Sequence, residues 1–100
     1  MKPVTFHPGA RADLDHEVAY YEAITFGLVL DLNHRVENAV AEIAAQPTRF
    51  GFHWQQPFRR VLLKRFPISV IYLELADTIW IAAVAHEKRR PNYWHARKMG

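Results

Sequence analysis

Apolar and polar positions follow two rhythms along this chain, and the change between them divides it. From Ala10 onward Leu14, Val18 and Tyr21 recur at helical spacing, with Asp13, Asp15, Glu17 and Glu22 mostly on the opposite face. Pro8 suits the first turn of that helix, where a missing N–H costs nothing, and acidic first turns complement the helix dipole. Gly27 breaks the pattern. A second stripe of Val29, Leu32, Val36, Ala39, Val40 and Ile43 then runs until just before Pro47. So short a break predicts an antiparallel helix hairpin with facing apolar stripes.

Past the irregular connector 46–57 the rhythm changes to that of strands. Residues 58–72 read FRRVLLKRFPISVIY, two β-rich runs separated by Phe66-Pro67. The first carries the basic pairs Arg59/Arg60 and Lys64/Arg65 on one strand, around Val61-Leu62-Leu63. The second extends over 68–75, and after a tight turn at Ala76-Asp77 a last strand covers 78–86. A short strand is also expected within 2–6, stopped by His7-Pro8. Phe50, Phe52 and Trp54 of the connector are expected to cap the end of the core. The predicted order is β-α-α-β-β-β in a single domain, residues 1–100. Its class is α+β, a helix hairpin packed on one face of a small antiparallel sheet, followed by a basic C-terminal tail. The other sheet face, too exposed to be wholly apolar, is the natural place for a groove.

Composition narrows the possibilities. Half of the 100 residues are hydrophobic and 23% are charged, as in a folded domain. A chain of this size buries roughly two thirds of its unfolded surface, enough for one core. There is no cysteine, which excludes disulfides, thiolate zinc sites and thiol nucleophiles. No apolar run is long enough to cross a membrane, and the start of the chain has no apolar h-region, so a soluble cytoplasmic protein is expected. Charge is unevenly spread. Residues 1–57 carry four basic and seven acidic side chains, residues 58–100 nine basic and three acidic. That asymmetry implies an acidic partner for the C-terminal half, nucleic acid or acidic peptide.

Several chemistries are absent. There is no glycine-rich phosphate loop, dinucleotide fingerprint or serine elbow. None of the six histidines pairs at i,i+4 on a helix, and no carboxylate pair is set for glycosidase work, so neither metal nor cofactor is expected. What remains is a basic constellation: Arg59, Arg60, Lys64 and Arg65, with His86, Lys88, Arg89, Arg90, Tyr93, Trp94 and Arg97 after the last strand. RNA cleavage by 2′-hydroxyl attack needs a base, cations for the phosphorane and an acid for the 5′ oxygen. Cations abound here, His86 is a possible base or acid and Tyr93 a possible acid, but no carboxylate base is evident. The structural alternatives are a His86 hydrogen-bonded to the tail and a Tyr93-Trp94 pair that pins the tail to the sheet.

The ordered set of residues resembles the RelE/ParE superfamily of toxins from bacterial type II toxin–antitoxin systems. Phe6-His7-Pro8-Gly9-Ala10, Asp13-Leu14 and Tyr20-Tyr21-Glu22 look like its opening strand and first helix. Ile43 to Pro47 resembles the end of its second helix, and Arg60-x-Leu62-Leu63-Lys64-Arg65-Phe66-Pro67 with Ile71-Tyr72 its central hairpin. Ile79-x-Ile81-x-Ala83-Val84-x-His86-x-x-Arg89-x-Pro91-x-Tyr93-Trp94-x-x-Arg97 is similar to the last strand and tail of the ParE-like, plasmid-stabilisation branch. The resemblance implies two helices against a small antiparallel sheet, and a cognate antitoxin whose C-terminal segment wraps the toxin. It further implies growth arrest by one of two routes: RelE-like members cut messenger RNA in the ribosomal A site, whereas ParE members inhibit DNA gyrase without a nucleolytic step.

Against the nuclease pattern Arg60 matches the first basic position, but Leu62 falls where a second cation belongs and Ser69 where an arginine belongs. The arginine expected after the final strand falls near Glu87, with Lys88 or Arg89 as substitutes, and only Tyr93 matches well. A glutamate-dependent subgroup finds no acid in the first meander strand, and His86 is a loose match to its histidine. The reading is therefore a ParE-like inhibitor of gyrase, with the eleven residues of the basic constellation as antitoxin- or target-binding positions and no enzymatic step. The alternatives are a ribosome-dependent mRNA interferase using Arg60, Lys64, His86, Arg89 and Tyr93, or a degenerate member that only binds its antitoxin.

Overall fold

A computed structural model of the chain describes residues 1–53 and 57–97. Trp54, expected to cap the core, and Lys98 of the basic tail lie outside the described residues. The elements are β1 (Val4–Phe6), α1 (Pro8–Ile24), α2 (Phe26–Ala45), β2 (Arg59–Leu62), β3 (Ile68–Glu74) and β4 (Ile79–His86). The predicted order and class hold: two helices pack on a four-stranded sheet of order β1-β4-β3-β2. The sheet is mixed, not wholly antiparallel. β2, β3 and β4 form the expected meander, while β1 runs parallel to β4 because the helix pair intervenes before the chain returns. Among the described residues no helix is long and apolar enough to cross a membrane.

The helices depart from the sequence reading in three places. The break falls at Thr25, which is extended at φ −156° and caps both helices, and Gly27 lies inside the first turn of α2. Because α1 starts at Pro8, Asp13 and Asp15 stand beyond the first turn. The N-terminus is capped instead by His7, whose Nδ1 accepts from the Gly9 amide at 2.8 Å. Most important, the buried stripe of α1 is Ala10, Asp13, Glu17 and Tyr21, so two of the expected solvent-facing acids point inward. Leu14 and Val18 flank that stripe as partly buried neighbours. In α2, Leu32, Val36, Ala39 and Ile43 are buried as expected.

The core occupies both sheet faces. On the helix side Ile68, Val70, Tyr72, Ile79, Ile81 and Val84 meet the two helices. On the other side Ile71, Trp80, Ala82 and Ala83 gather with Trp94 of the tail, and Phe58 and Leu73 pack against them. The face expected to be partly open is thus largely covered by the chain's own tail, which explains why β3 is buried on both sides from Ile68 to Tyr72. The tail has no helical period because it is a series of turns, with the amides of Arg89, Tyr93, His95 and Arg97 each donating to the carbonyl three residues earlier.

A β-bulge joins these two cores. Ile71 pairs with Ala83 but Tyr72 with Ile81, which leaves Ala82 as an extra residue in β4. The extra residue shifts the alternation, so Ile81 and Val84 both face the helices. It also releases backbone groups from the ladder, and these must find other partners.

Of the connector aromatics, Phe50 packs against the core, but Phe52 is 49% exposed. Phe52 bridges to Arg59, whose guanidinium lies 4.0 Å from its ring centroid, so its role is to cover an arginine rather than the core.

Candidate functional site

The bulge is completed by a buried carboxylate. Asp13, 5% exposed, accepts from the Val84 amide at 3.1 Å, from Arg97 Nη1 and Nη2 at 2.8 and 3.1 Å, and from the Tyr93 hydroxyl at 2.9 Å. Arg97 Nη1 also donates to the Ala82 carbonyl at 3.0 Å. One ion pair therefore satisfies the two backbone groups beside the bulge and ties helix, sheet and tail together. Glycine at position 9 is part of the arrangement, since a Cβ there would stand 2.5 Å from Arg97 Nε. Arg97 is correspondingly held more firmly protonated, mainly by the hydrogen bonds it donates to Asp13.

Anchored in this way, the tail forms the wall of a groove of about 210 Å³ on the sheet face away from the helices. Its floor is Ser69, Ile71 and Ala85, and Arg60 and His53 rise on the β2 side. Arg89, Arg90, Tyr93 and Trp94 form the opposite wall, with His86 at the end of β4. Glu87 is the one acid in a lining that holds three arginines, so the groove favours anionic groups.

The basic constellation is only partly brought together. Arg60, His86, Arg89, Arg90, Tyr93 and Trp94 share the groove. β2 ends at Leu62, because Leu63 turns into the core and Arg65 adopts φ 72° in the following turn, so Lys64 and Arg65 do not share a strand with Arg59 and Arg60. Lys64 faces α2 beside Arg35, Asn38 and Glu42, and Arg65 pairs with Asp31 at 2.7 Å. Arg59 donates to the Phe50 carbonyl at 2.6 Å, and Lys88 lines a second cleft against α1. The nuclease set thus loses Lys64 from the groove and keeps four of its residues there.

Chemistry within the groove is constrained. Burial, then the charge and hydrogen bond of Asp13, push the Tyr93 hydroxyl well above the ordinary phenol range, with Arg89 and Arg97 opposing. A phenol that already donates to a carboxylate is a poor acid for a leaving oxygen. His86 Nδ1 accepts from the Lys88 amide at 3.0 Å, so the neutral ring carries its proton on Nε2. His53, buried in the β2-side wall, has its protonation disfavoured by burial and then by Arg60. Trp94, 2% exposed, packs edge-on to Phe58 and His53 with ring centroids 4.8 and 5.4 Å apart. It serves as a wedge under the tail.

Asp13, His53 and Ser69 belong to the site and lie outside the basic constellation that the sequence singles out. The spacing Ala10-Asp13-Glu17-Tyr21 was a usable signal, because i,i+3 and i,i+4 steps continue through both acids from one buried apolar residue to another.

The tyrosine environment predicts behaviour at high pH. Burial pushes the Tyr72 hydroxyl, which donates to the Pro47 carbonyl at 2.6 Å, up to about 12. For an acid whose folded pKa is raised, the folded state binds the proton more tightly, so stability is full below the ordinary value of 10.0 and falls as pH rises above it. Absorbance titration near 295 nm is expected to show Tyr72 and Tyr93 ionising in the same pH interval as loss of the circular dichroism signal. Free ionisation of all four tyrosines near pH 10 in the folded chain would contradict these assignments.

Comparison with protein-family models finds no match, and neither does comparison with curated protein sequences. Among solved structures, a chain of the chromosomal ParDE TA system from P. aeruginosa is similar, at 21% identity and a TM-score of 0.63. The alignment covers 86% of this chain and 96% of that one. At this identity the likeness is one of architecture, and this chain has the α+β fold seen in that ParDE chain.

Proposed function

We propose that the chain is the toxin of a type II toxin–antitoxin pair, a ParE-like growth inhibitor that acts on DNA gyrase without a nucleolytic step and is neutralised by a cognate antitoxin. The observation that carries this reading is the state of the groove. It is strongly cationic, yet the one tyrosine that fits a nuclease pattern has its hydroxyl committed as a hydrogen-bond donor to Asp13. Position 62 is an exposed leucine and position 69 a buried serine where a nuclease of the resembled family needs cations. A surface of this kind suits acidic side chains of an antitoxin or target better than bond cleavage. The fold likeness to a ParDE chain supports the same branch.

A second reading, the ribosome-dependent mRNA interferase, draws on the convergence of Arg60, His86, Arg89 and Tyr93 in one groove. Gyrase supercoiling and ribosome-primed mRNA cleavage, run side by side with purified protein, separate the two. Inhibited supercoiling with intact message is expected; A-site cleavage with untouched supercoiling would replace the first reading by the second. His86→Gln adds an independent check. Growth arrest should persist in this variant, whereas a general acid or base at His86 would make toxicity fall by about 10²–10⁴-fold. No arrest from the wild-type chain expressed alone would leave only an antitoxin-binding role.

A further inference from the structure

The closed end of the helix hairpin is bare of charge. Residues 23–30, on either side of the break at Thr25, read AITFGLVL. Ile24, Phe26 and Leu30 are 55, 70 and 56% exposed there, and Tyr20, one turn earlier on α1, is 55% exposed. Helix ends ordinarily carry polar caps and charges that oppose the dipole. Here the last turn of α1 has no base, the first turn of α2 has no acid, and the Thr25 side chain makes no capping hydrogen bond to α2. Clustered apolar side chains on helix ends left without polar furniture mark a surface that a partner covers.

The chemistry of the patch selects that partner. With no charged side chain from 23 to 30, it gives an acidic or a basic segment nothing to pair with. A hairpin end that inserts into a lipid surface is normally flanked by bases, whereas the nearest charged residues here are Glu22 and Asp31. A second copy of the same end meets both conditions. The carbonyl pole of α1 and the amide pole of α2 stand side by side at the tip. A two-fold axis in the contact plane, perpendicular to the line joining the two poles, sets each pole against its opposite and apolar surface against apolar surface. Together with the exposed Ala23, Thr25 and Gly27, the four large side chains offer roughly 500 Å² per copy. About 1,000 Å² for the pair is too small for an obligate dimer and suits a reversible one.

We infer that two copies of this chain associate reversibly, end to end, through Ile24, Phe26 and Leu30 of their hairpins. None of these three residues lines the cationic groove, so the dimer presents two open grooves. The inference does not depend on the toxin reading.

Gly27 supplies the test. A Cβ at this position meets nothing within 4 Å, and replacing a helical glycine favours the helix, so the fold tolerates a longer side chain. Sedimentation velocity of the full chain, up to about 1 mM, should show a monomer–dimer equilibrium. Gly27→Glu and Gly27→Lys should each raise the dissociation constant at least about tenfold, because like charges then face each other across the axis. An equimolar mixture of the two variants should associate more tightly than either alone. Phe26→Ser should weaken the dimer as much, without lowering the thermal midpoint of the dilute monomer. A chain that stays monomeric at about 1 mM overturns the inference. So does a dimer indifferent to these substitutions, or a mixture no tighter than its components. A monomeric chain that binds phosphatidylcholine vesicles, and loses them on Phe26→Ser, would assign the tip to a lipid surface instead.

Discussion

Replacing Asp13 by alanine is expected to lower the melting temperature by more than about 10 °C, a larger effect than any change to an exposed charge of this chain. The substitution leaves the Val84 amide, the Tyr93 hydroxyl and the Arg97 guanidinium without their shared acceptor. Removing one partner of a buried, hydrogen-bonded ion pair costs about 3–5 kcal/mol, because the remaining charge stays behind uncompensated. The Arg97 side chain retains 17% exposure, so partial solvation puts the expected value near the lower end. For a domain of about 100 residues each kcal/mol moves the midpoint by roughly 4–8 °C. Tyr93→Phe removes the hydroxyl's hydrogen bond to the carboxylate and its longer one to the Val84 carbonyl at 3.4 Å, and should cost about 1.5–3 kcal/mol or less. Asp13→Leu combined with Arg97→Met should recover part of the loss, since no charge is then left buried. Thermal and urea unfolding of the four proteins decide the matter. An Asp13→Ala midpoint within a few degrees of wild type would mean that the node is not what secures the tail.

How far the sequence reveals this arrangement depends on the range of the interactions. α2 was legible because its apolar stripe is purely local, Leu32 to Ile43 at regular spacing. The meander was legible because two β-rich runs flank Phe66-Pro67. In α1 the ordinary preference of carboxylates for water places Asp13 and Glu17 outside, a fraction of a turn out of phase with the buried stripe. What overrides that preference for Asp13 is an arginine 84 residues away, donating to it from the tail. The bulge at Ala82 has no local marker either. Ala82 and Ala83 fit any strand, and the extra residue is visible only once β3 supplies a register. The candidate groove was half legible for the same reason. The basic pairs of the first meander strand point to Arg60, and the basic and aromatic residues after the last strand to His86, Arg89 and Tyr93. Their separation from Lys64 and Arg65 depends on a turn in which Arg65 takes a left-handed backbone conformation, and nothing in the residue itself announces that.

Trp94→Ala should destabilise the chain by about 3–5 kcal/mol, the usual result of truncating a large buried aromatic. The residue fills the space between the outer sheet face and the tail, where it meets Ile71, Trp80, Ala82 and Ala83. No other large apolar side chain of the described tail is fully buried, because Tyr93 beside it remains only partly so. The cavity therefore opens directly under the segment that carries Arg89 and Arg90. Two anchors hold that segment, the apolar one at Trp94 and the ionic one at Asp13–Arg97, and they are separable by experiment. High salt weakens exposed charge pairs but leaves apolar burial intact, so the Trp94→Ala loss should be insensitive to ionic strength. Hydrogen exchange should then show the amides of Tyr93, His95 and Arg97, each bonded only within the tail, losing protection before those of β3 and β4. If β3 and β4 lose protection together with the tail, the outer core is one cooperative unit with the helix side. If the midpoint and the tail amides are both unchanged, Trp94 is not the wedge described here, and the groove wall is held by the Asp13–Arg97 pair alone.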